Sequence, residues 1–370
     1  MRTGIIGYGS MGKMLLKKFS ESGRVSCDNL FISSRTLSKI EEVPDRYTIC
    51  RSNTSLAESS DIIIICTRPN DILTVLKEIV GAVSEDAIII SLNGSVTFDS
   101  LEKISYRKYA KVIPSVTAEI NRSQTLVSCN RLVSDQDRTC IRNLFSCLGD
   151  IIELPENEMG MGSELVSCMP GFIASIFDVI CRSAQKHTSI PQEQIINMVL
   201  NTLGATAELM LQKDMSFTDI VNRVATKGGI TEVGTRVIYD GFPDIAEEMY
   251  EKTLAKRRET ASMMKCFKLE IFIPETHFAD LREVLQSVDA GHIGSYDCCL
   301  SYSKVIGTWR PLANTSPFIG KENEISEAEE LKVEVTVRGE ILDETLKAIK
   351  AVHPYEEPVI NVIELYRTGL

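Results

Sequence analysis

A glycine pattern near the start of the sequence constrains the fold more than any other feature. The segment GYGSMG, residues 7–12, follows a short apolar run that predicts a strand, and it opens a helical pattern. In such a strand–turn–helix unit, the first glycine allows a tight turn, the second lets a pyrophosphate approach the backbone, and the third lets the helix pack closely. The helix start offers unpaired N–H groups to phosphates. We therefore expect a dinucleotide site at Gly7, Gly9, Ser10, Met11 and Gly12.

The end of the second predicted strand indicates which dinucleotide binds. Enzymes that use NAD usually carry an acidic residue there, which binds the ribose 2′-hydroxyl. Here the strand ends in Ser33-Ser34-Arg35. An arginine can hold a 2′-phosphate through charge-assisted hydrogen bonds, whereas a carboxylate would repel it. The sequence predicts NADPH, with NADH as a second possibility, and places Ser34, Arg35 and Lys39 at the phosphate. A solvated surface arginine is the alternative interpretation of Arg35.

Three zones of different pattern follow one another along the chain. Alternating short strands and helices predict a Rossmann-type doubly wound α/β domain with a parallel sheet in residues 1–154. Helices alone predict a dimerisation or substrate domain in residues 155–264. A pattern close to βαββαβ predicts a ferredoxin-like α+β domain in residues 265–370.

The predicted elements of each zone have the following bounds. The strands of the first zone are 3–6, 30–33, 62–67, 87–92, 111–113, 125–128 and 151–154. The helices of the second zone are 171–187, 191–214, 217–226, 231–239 and 243–258, and Pro191 and Pro243 suit first helical turns. In the third zone, strands are predicted at 265–274, 296–303, 307–310, 332–337 and 359–365, and helices at 277–287 and 341–352.

Composition excludes several classes of protein. No unbroken run of about 18 apolar residues occurs, so we expect no membrane-spanning segment and a cytoplasmic location. The net charge is −11 and no basic stripe occurs, so nucleic acid is not an expected partner. The eleven cysteines are odd in number and lie mostly in apolar runs, which favours reduced, buried thiols. The acidic stretch 322–334 is expected to be a solvated loop.

The scarcity of histidine limits the chemistry. All four histidines, at 187, 277, 292 and 353, lie outside the nucleotide-binding zone. Reduction of a carbonyl needs an acid for the developing alkoxide, a role commonly taken by histidine. The nitrogen of an imine can be protonated before hydride arrives, so that reaction depends more on orientation and on a clamp for the substrate. The sequence therefore favours reduction of an imine.

The best candidate clamp is VATKGGITE, residues 224–232. Two adjacent glycines precede a predicted helix, and hydroxyls flank them at Thr226 and Thr231. Free N–H groups at a helix start can bind a carboxylate. An ordinary helix–turn–helix with a glycine cap is the alternative interpretation.

These motifs resemble those of the pyrroline-5-carboxylate reductase family over about residues 1–260. The turn CTRP (66–69) corresponds to its A-V-K-P turn, LNGS (92–95) to its nicotinamide-side loop, and VATKGGITEVG to its V-T-S-P-G-G-T-T-x-x-G signature. The resemblance implies a helical dimer that reduces 1-pyrroline-5-carboxylate to L-proline. It adds Asn53, Cys66, Thr67, Arg68, Pro69, Asn93 and Gly94 to the cofactor site. It implies a substrate site at Pro170, Thr226, Gly228, Gly229 and Thr231, with Thr231 also the proton donor.

Some segments depart from that family. Its M-P-N-T-P-A segment is IPSVTA here (113–118), which also resembles a competence-operon subgroup of the same fold. Its S-G-S-G loop is VSCM (166–169), and Lys227 replaces a proline, where it either adds charge to the clamp or points to solvent. Two alternatives therefore stay open: a reductase of another small imine or ketone, and a non-catalytic sensor of nucleotide and ligand.

The third zone has a resemblance of its own. Four motifs, at 290–301, 307–312, 316–320 and 353–358, resemble the inserted domain of YqfO-type Nif-three-like proteins. The metal ligands of that family lie outside the inserted domain. His292, Cys298, Cys299, His353 and Glu356 are candidate metal ligands by residue type. We interpret them instead as packing and turn residues and expect no metal site.

Overall fold

The computed structural model of the chain describes residues 1–36, 43–263 and 265–365. The chain divides into two compact units, Met1–Lys256 and Arg257–Leu370. The division falls inside a long helix, shortly before the boundary predicted at residue 264. The further division of the first unit at residue 154 stays a prediction.

The first unit contains an eight-stranded sheet with the order β3-β2-β1-β4-β5-β6-β7-β8. The four Ile side chains of β4 are all buried, as expected for a strand covered on both faces. The seven predicted strands are present, and the short β3 was not predicted. The strands are β1 (Thr3–Ile6), β2 (Leu30–Ser33), β3 (Thr48–Ile49), β4 (Ile62–Ile65), β5 (Ile88–Ser91), β6 (Lys108–Ile113), β7 (Ser123–Cys129) and β8 (Gly149–Glu153).

One pair of strands departs from the predicted parallel sheet. Strands β6 and β7 are antiparallel, whereas the other neighbouring pairs are parallel. Only residues 114–122 connect the two strands. A parallel crossover needs about a dozen residues or more, so this connection can only reverse the chain. The fold remains a Rossmann-type α/β fold, as predicted.

Helices cover the sheet and close its core. They are α1 (Ser10–Glu21), α2 (Asn53–Glu58), α3 (Ile72–Ile79), α4 (Phe98–Glu102) and α5 (Asp135–Phe145). In α1, Leu15, Leu16 and Phe19 form a buried stripe with helical spacing. Phe19 meets Phe145 of α5 edge to face, with 5.4 Å between the ring centroids.

The second half of this unit is helical, as predicted. The chain continues through α6 (Met159–Ser163), a π-helical turn (Glu164–Cys168), α7 (Met169–Gln185), α8 (Gln192–Lys213), α9 (Phe217–Val224) and α10 (Ile230–Met263).

Helix α10 corrects one prediction. Helices were expected at 231–239 and 243–258, with Pro243 opening the second. The structure has one helix of 34 residues, and Pro243 lies inside it. Proline removes one hydrogen bond and clashes with the preceding turn. Here the helical segments on both sides are long, so their hydrogen bonds outweigh this local cost and the helix continues.

The helical region exposes many apolar side chains. Val233, Val237, Ile238 and Ile245 of α10 are all more than half exposed. The described helical stretch Glu156–Gln185 is also long and apolar enough to cross a membrane, by length and composition alone. Glu164 and Asp178 interrupt the apolar sequence, so the stretch contains no unbroken run of about 18 apolar residues. Only 11% of its most apolar window is buried.

The second unit has the βαββαβ order predicted from the sequence. Its sheet order is β10-β11-β9-β12 and all pairs are antiparallel, which is the ferredoxin-like arrangement. One face is apolar and packs against the helices. Strands predicted at 296–303 and 307–310 are one strand, β10. The elements are β9 (Cys266–Ile273), α11 (Phe278–Ser287), β10 (Leu300–Trp309), β11 (Ser326–Arg338), α12 (Leu342–Val352) and β12 (Ile360–Glu364).

The acidic stretch 322–334 is mostly strand, so the predicted solvated loop is wrong from Ser326 onward. Two of its charged side chains, Lys332 and Glu334, form ion pairs with residues of the neighbouring strand β9. Lys332 lies 2.8 Å from Glu270 on β9, and Lys268 lies 3.1 Å from Glu334. Hydrogen bonds from Lys332 and Lys268 lower the pKa of Glu270 to about 2. Glu334 lies directly opposite Glu270 in the register, and the two lysines lie diagonal to them, within reach for ion pairs that stabilise the strand pair.

A buried ion pair ties the sheet of the first unit to the start of its helical region. The side chain of Lys111 on β6 is 1% exposed, and its Nζ lies 2.6 Å from Oε1 of Glu156. The same carboxylate oxygen accepts a hydrogen bond from the backbone N–H of Phe98 at 2.7 Å. Glu156 therefore links β6, the start of α4 and the segment that leads into α6.

We expect Glu156→Gln to lower the free energy of unfolding by about 3 kcal/mol, because removing one partner leaves the buried Lys111 ammonium without its counter-charge. Urea denaturation followed by circular dichroism measures the change. Glu158→Gln, at an exposed position two residues away, is the matched control and should stay within about 0.5 kcal/mol of the parent chain. Equal stability of the two variants would remove the structural role given to this pair.

Candidate active site

The carboxyl end of β1 has the geometry that the glycine pattern predicts. Gly7 has a φ of +102°, a conformation that disfavours side chains. A Cβ added to Gly12 would lie 2.1 Å from the carbonyl oxygen of Gly7, so only glycine lets α1 approach this closely. A Cβ added to Gly9 would meet nothing within 4 Å, which leaves open space beside the turn.

The start of α1 lacks any side chain that would occupy its free N–H groups. Gly9 is the N-cap, no side chain caps the helix, and the first turn contains no acidic residue. The N–H groups of the first turn, which include Ser10 and Met11, are therefore available to an anion. Met11 also packs against the core of the sheet.

The ends of β2 and α2 form the neighbouring side of this space. The hydroxyl of Ser33 donates to Oδ1 of Asn53 at 2.8 Å, and Nδ2 of Asn53 donates to Glu78 at 2.8 Å. Asn53 thus lies beside the end of β2, with both ends of its amide engaged within the protein. Glu78 was not predicted, because it lies 25 positions further along the chain.

The predicted phosphate reader, Arg35, projects into solvent beyond β2. Its side chain is 86% exposed, and its Nη2 is 3.5 Å from Oδ2 of Asp71. Ser34 precedes it, and its hydroxyl accepts a hydrogen bond from the N–H of Thr36. Lys39 lies outside the described residues. The end of β2 carries no carboxylate of its own, which suits a phosphorylated ribose.

The end of β4 closes the other side of the glycine turn. The N–H of Cys66 donates to the carbonyl of Ile6 at 2.8 Å, which holds the two strand ends together. Burial raises the pKa of the Cys66 thiol, so it stays neutral. The hydroxyl of Thr67 is buried and has no hydrogen-bond partner in the described part of the chain. Arg68 and Pro69 follow in an extended segment and a short turn.

The loop after β5 is shaped by its own asparagine. Oδ1 of Asn93 accepts hydrogen bonds from the N–H of Ser95 at 2.7 Å and from the N–H of Val96 at 3.3 Å. This turn encloses Gly94. Asn93 therefore fixes the loop conformation here and presents no free amide oxygen.

These strand ends lie at one edge of the sheet, where the strand order reverses at β1. In open α/β sheets, ligands bind in the crevice at such a point. The uncapped start of α1, the space beside Gly9 and the unpaired Thr67 hydroxyl all fit a phosphate-containing dinucleotide. The structure thus brings the described candidate residues at the ends of β1, β2, β4 and β5 to one edge of the sheet.

The predicted substrate loop lies between α9 and α10. Gly228 has a φ of +74°, and its N–H donates to Oε2 of Glu232 at 2.6 Å. The N–H of Gly229 donates to the carbonyl of Thr226 at 2.8 Å. Both amides are therefore engaged within the loop. Thr226 and Thr231 are exposed, and none of the described hydrogen bonds joins this loop to the dinucleotide edge.

Glu232 is a site residue that the sequence interpretation missed. Its carboxylate reaches back over the first turn of α10 to an N–H that precedes the helix, as acidic residues of capping motifs do. The sequence feature that could have indicated this contact is an acidic residue four positions after a glycine at a helix start.

Pro170 lies at the start of α7, directly after the π-helical turn Glu164–Cys168. That turn replaces the S-G-S-G loop of the resembling family. Single π-helical turns of this kind are frequent at functional sites.

The candidate metal ligands of the second unit do not converge. Nδ1 of His292 is 2.8 Å from Asp289, and Nε2 of His353 is 2.8 Å from the carbonyl of Phe272. Among residues 1–36, 43–263 and 265–365, no group of three or more His, Cys, Asp or Glu side chains has a metal-binding arrangement.

Two family models match the first unit. Residues 2–94 match a family described as NADP oxidoreductase coenzyme F420-dependent, and residues 156–260 match one described as pyrroline-5-carboxylate reductase dimerisation.

Individual proteins of known sequence or structure are also similar to the chain. Pyrroline-5-carboxylate reductase 3 of Bacillus subtilis is 29% identical over 256 residues, which cover 68% of this chain and 94% of that protein. ComE operon protein 4 of the same organism is 26% identical, with 72% and 98% covered. The crystal structure of Plasmodium falciparum pyrroline carboxylate reductase with NADP bound has a TM-score of 0.64 at 22% identity, with 70% and 98% covered.

The C-terminal part has a different relative. A GTP cyclohydrolase 1 type 2 homolog of Halalkalibacterium halodurans is 33% identical over 167 residues, which cover 45% of this chain and 42% of that protein. Because the chain spans less than half of that relative, the similarity concerns part of that protein alone. Together with the fold, these findings show that residues 2–94 carry an NADP oxidoreductase domain and residues 156–260 a pyrroline-5-carboxylate reductase dimerisation domain, and that a separate ferredoxin-like domain follows.

Proposed function

We propose that the protein is a cytoplasmic NADPH-dependent reductase that converts 1-pyrroline-5-carboxylate into L-proline. The observation that carries this proposal is the presence, in one chain, of an uncapped dinucleotide turn and a GGIT loop at the head of a helix in the dimerisation domain. The first element supports hydride transfer from a nicotinamide, and the second supports recognition of a small carboxylate next to a hydroxyl donor.

The sheet edge would hold the cofactor through donor groups that the fold already presents at the strand ends. First-turn N–H groups of α1 bind the pyrophosphate, and the Thr67 hydroxyl gains the partner that it lacks. Arg35 exchanges its 3.5 Å contact with Asp71 for the 2′-phosphate. When bound, NADPH supplies a hydride to the imine carbon.

The GGIT loop would hold the substrate. The substrate carboxylate takes the position of the Glu232 carboxylate at the Gly228 N–H, next to Thr226 and Gly229. Pro170 at the head of α7 lines the ring. The hydroxyl of Thr231 hydrogen-bonds the ring nitrogen and donates the proton as the C=N electron pair moves onto nitrogen, and solvent restores the hydroxyl proton.

A second copy of the chain would complete this site. The loop lies on the surface, and Ile230 next to Thr231 is 94% exposed. A hydride donor needs a site from which water is excluded. The exposed apolar side chains of α7, α8 and α10 supply the surface that a homodimer buries, in agreement with the dimerisation family model.

A non-catalytic nucleotide sensor is the second candidate function. The engaged Gly228 and Gly229 amides, the altered VSCM and IPSVTA segments and the similarity to ComE operon protein 4 favour it. Among enzyme functions, the alternative is a reductase that acts on another small imine or ketone.

The test is oxidation of NADPH on addition of 1-pyrroline-5-carboxylate, with NADH in parallel. Turnover that prefers NADPH supports the proposal. Tight NADPH binding without turnover would contradict it and favour the sensor, and turnover only with other imines or ketones would favour a different reductase.

We expect Arg35→Ala to raise the KM for NADPH about 10-fold or more and to leave the KM for NADH nearly unchanged, because hydrogen bonds to a charged group are worth about 1.5–3 kcal/mol. Steady-state kinetics with both cofactors measures the difference. Arg24→Ala, an exposed arginine before the opposite end of β2, is the matched control. An unchanged preference in Arg35→Ala would show that this arginine does not read the phosphate.

We expect Thr231→Val to lower kcat/KM by about 10²-fold while NADPH binds as before, because the ring nitrogen loses its hydrogen-bonding proton donor. Thr231→Ser keeps the hydroxyl and should retain most of the activity. Kinetics combined with NADPH titration separates the two effects. Activity of Thr231→Val equal to that of the parent chain would exclude Thr231 from the mechanism.

A further inference from the structure

Three sequence motifs that the reductase does not use meet around one cavity in the second unit. The cavity has a volume of about 680 Å³, within the usual range for small-ligand sites. Residues from GTWRPL (307–312), from SPFIG (316–320) and from HPYEEP (353–358) line it. Segments far apart in the sequence therefore build one site.

Aromatic side chains form one wall of this cavity, and contacts within the protein hold them in place. The rings of Trp309 and Phe318 lie 5.7 and 6.1 Å from the ring of Tyr355, centroid to centroid. The indole N–H of Trp309 donates to the carbonyl of Ile319 at 2.9 Å, which locks the ring. The N–H of Ser316 donates to the Glu356 carboxylate at 3.0 Å and holds the SPFIG segment against the HPYEEP turn.

A buried carboxylate lies beside the aromatic wall. Glu330 on β11 is 6% exposed and lines the cavity. A Cβ at Gly307 would lie 2.3 Å from one of its oxygens, so glycine at this position makes room for the carboxylate. Unlike Glu270 and Glu334, Glu330 takes part in none of the salt bridges of the described residues.

The surroundings of Glu330 do not supply a positive charge. Burial lowers the pKa of His353, which therefore favours its neutral form. Burial and the neighbouring Glu330 carboxylate raise the pKa of Tyr355, so the phenol stays neutral and offers Glu330 no positive charge. At the rim, Glu356 and Glu357 outnumber the exposed Arg310. A buried carboxylate without a counter-charge is costly unless a cation joins it.

We propose that this cavity binds a small organic amine as its ammonium ion, with the charged nitrogen at Glu330 and the apolar part of the ligand against Trp309, Phe318 and Tyr355. Aromatic faces attract organic cations, and the carboxylate supplies the charge-assisted hydrogen bond. A neutral ligand leaves Glu330 uncompensated, and an anion is repelled by it. The site is independent of the reductase reaction, so each proposal stands or falls alone.

Trp309 is the only tryptophan of the chain and reports directly on this cavity. The full-length protein is titrated with 2-phenylethylammonium, with neutral 2-phenylethanol and with anionic 3-phenylpropanoate, which share a phenyl-ethyl body. We expect a saturable change of tryptophan fluorescence with the ammonium compound and a Kd at least about 10-fold weaker for the other two. Equal affinity for the alcohol, or no saturable change with any probe, would overturn the proposal without any variant.

Glu330→Gln removes the charge and keeps the shape. We expect it to weaken binding of 2-phenylethylammonium about 10-fold or more and to leave the binding of 2-phenylethanol unchanged. Glu329→Gln, the adjacent and exposed position on β11, is the matched control and should bind as the parent chain does. Near-UV circular dichroism verifies the fold of both variants. Unchanged ammonium affinity in Glu330→Gln would refute the assignment of the charge.

Discussion

The close approach of α1 to the carbonyl of Gly7 is the constraint on which the first unit depends. A Cβ at Gly12 would lie 2.1 Å from that oxygen, so a glycine there decides how near the helix comes to β1. This distance places the uncapped helix start over the strand ends. It also puts Gly7 against Cys66 at the end of β4, where the strand order reverses. The fold and the dinucleotide site therefore follow from one steric condition.

Local pattern was enough to predict most of the fold. The isoleucine run of β4, the glycine turn and the alternating strands of the second unit each identify an element without knowledge of its neighbours. The errors lie where the outcome depends on other segments. The direction of β7 is set by the length of the connection before it. The acidic stretch becomes strand because ion pairs join it to β9, from Lys268 to Glu334 and from Lys332 to Glu270. Pro243 is the exception, since its helix continues because the flanking turns outweigh one lost hydrogen bond.

The candidate site was predictable to a similar degree and for the same reason. Residues that belong to a motif, such as Gly9 and Arg35, could be named from the sequence. Residues that act through a long-range contact could not, since nothing in the local sequence links Glu78 to Asn53 or Asp71 to Arg35. The cavity at Trp309 has one part that the sequence reveals and one part that it does not. Its motifs stand out in the sequence, but their convergence on Glu330 is visible only once the sheet is folded.

The hydrogen bond from the Gly228 N–H to Glu232 has a consequence for how the site responds to its surroundings. Under the proposed reaction, a substrate carboxylate replaces a carboxylate that the protein already keeps at that N–H. The N–H then donates to one carboxylate before and after the exchange and is never left without an acceptor. The loop does not have to be ordered by its ligand, because its own side chain holds it in the bound shape. Selectivity in such an exchange comes from the rest of the substrate, since any carboxylate meets an equal competitor built into the chain.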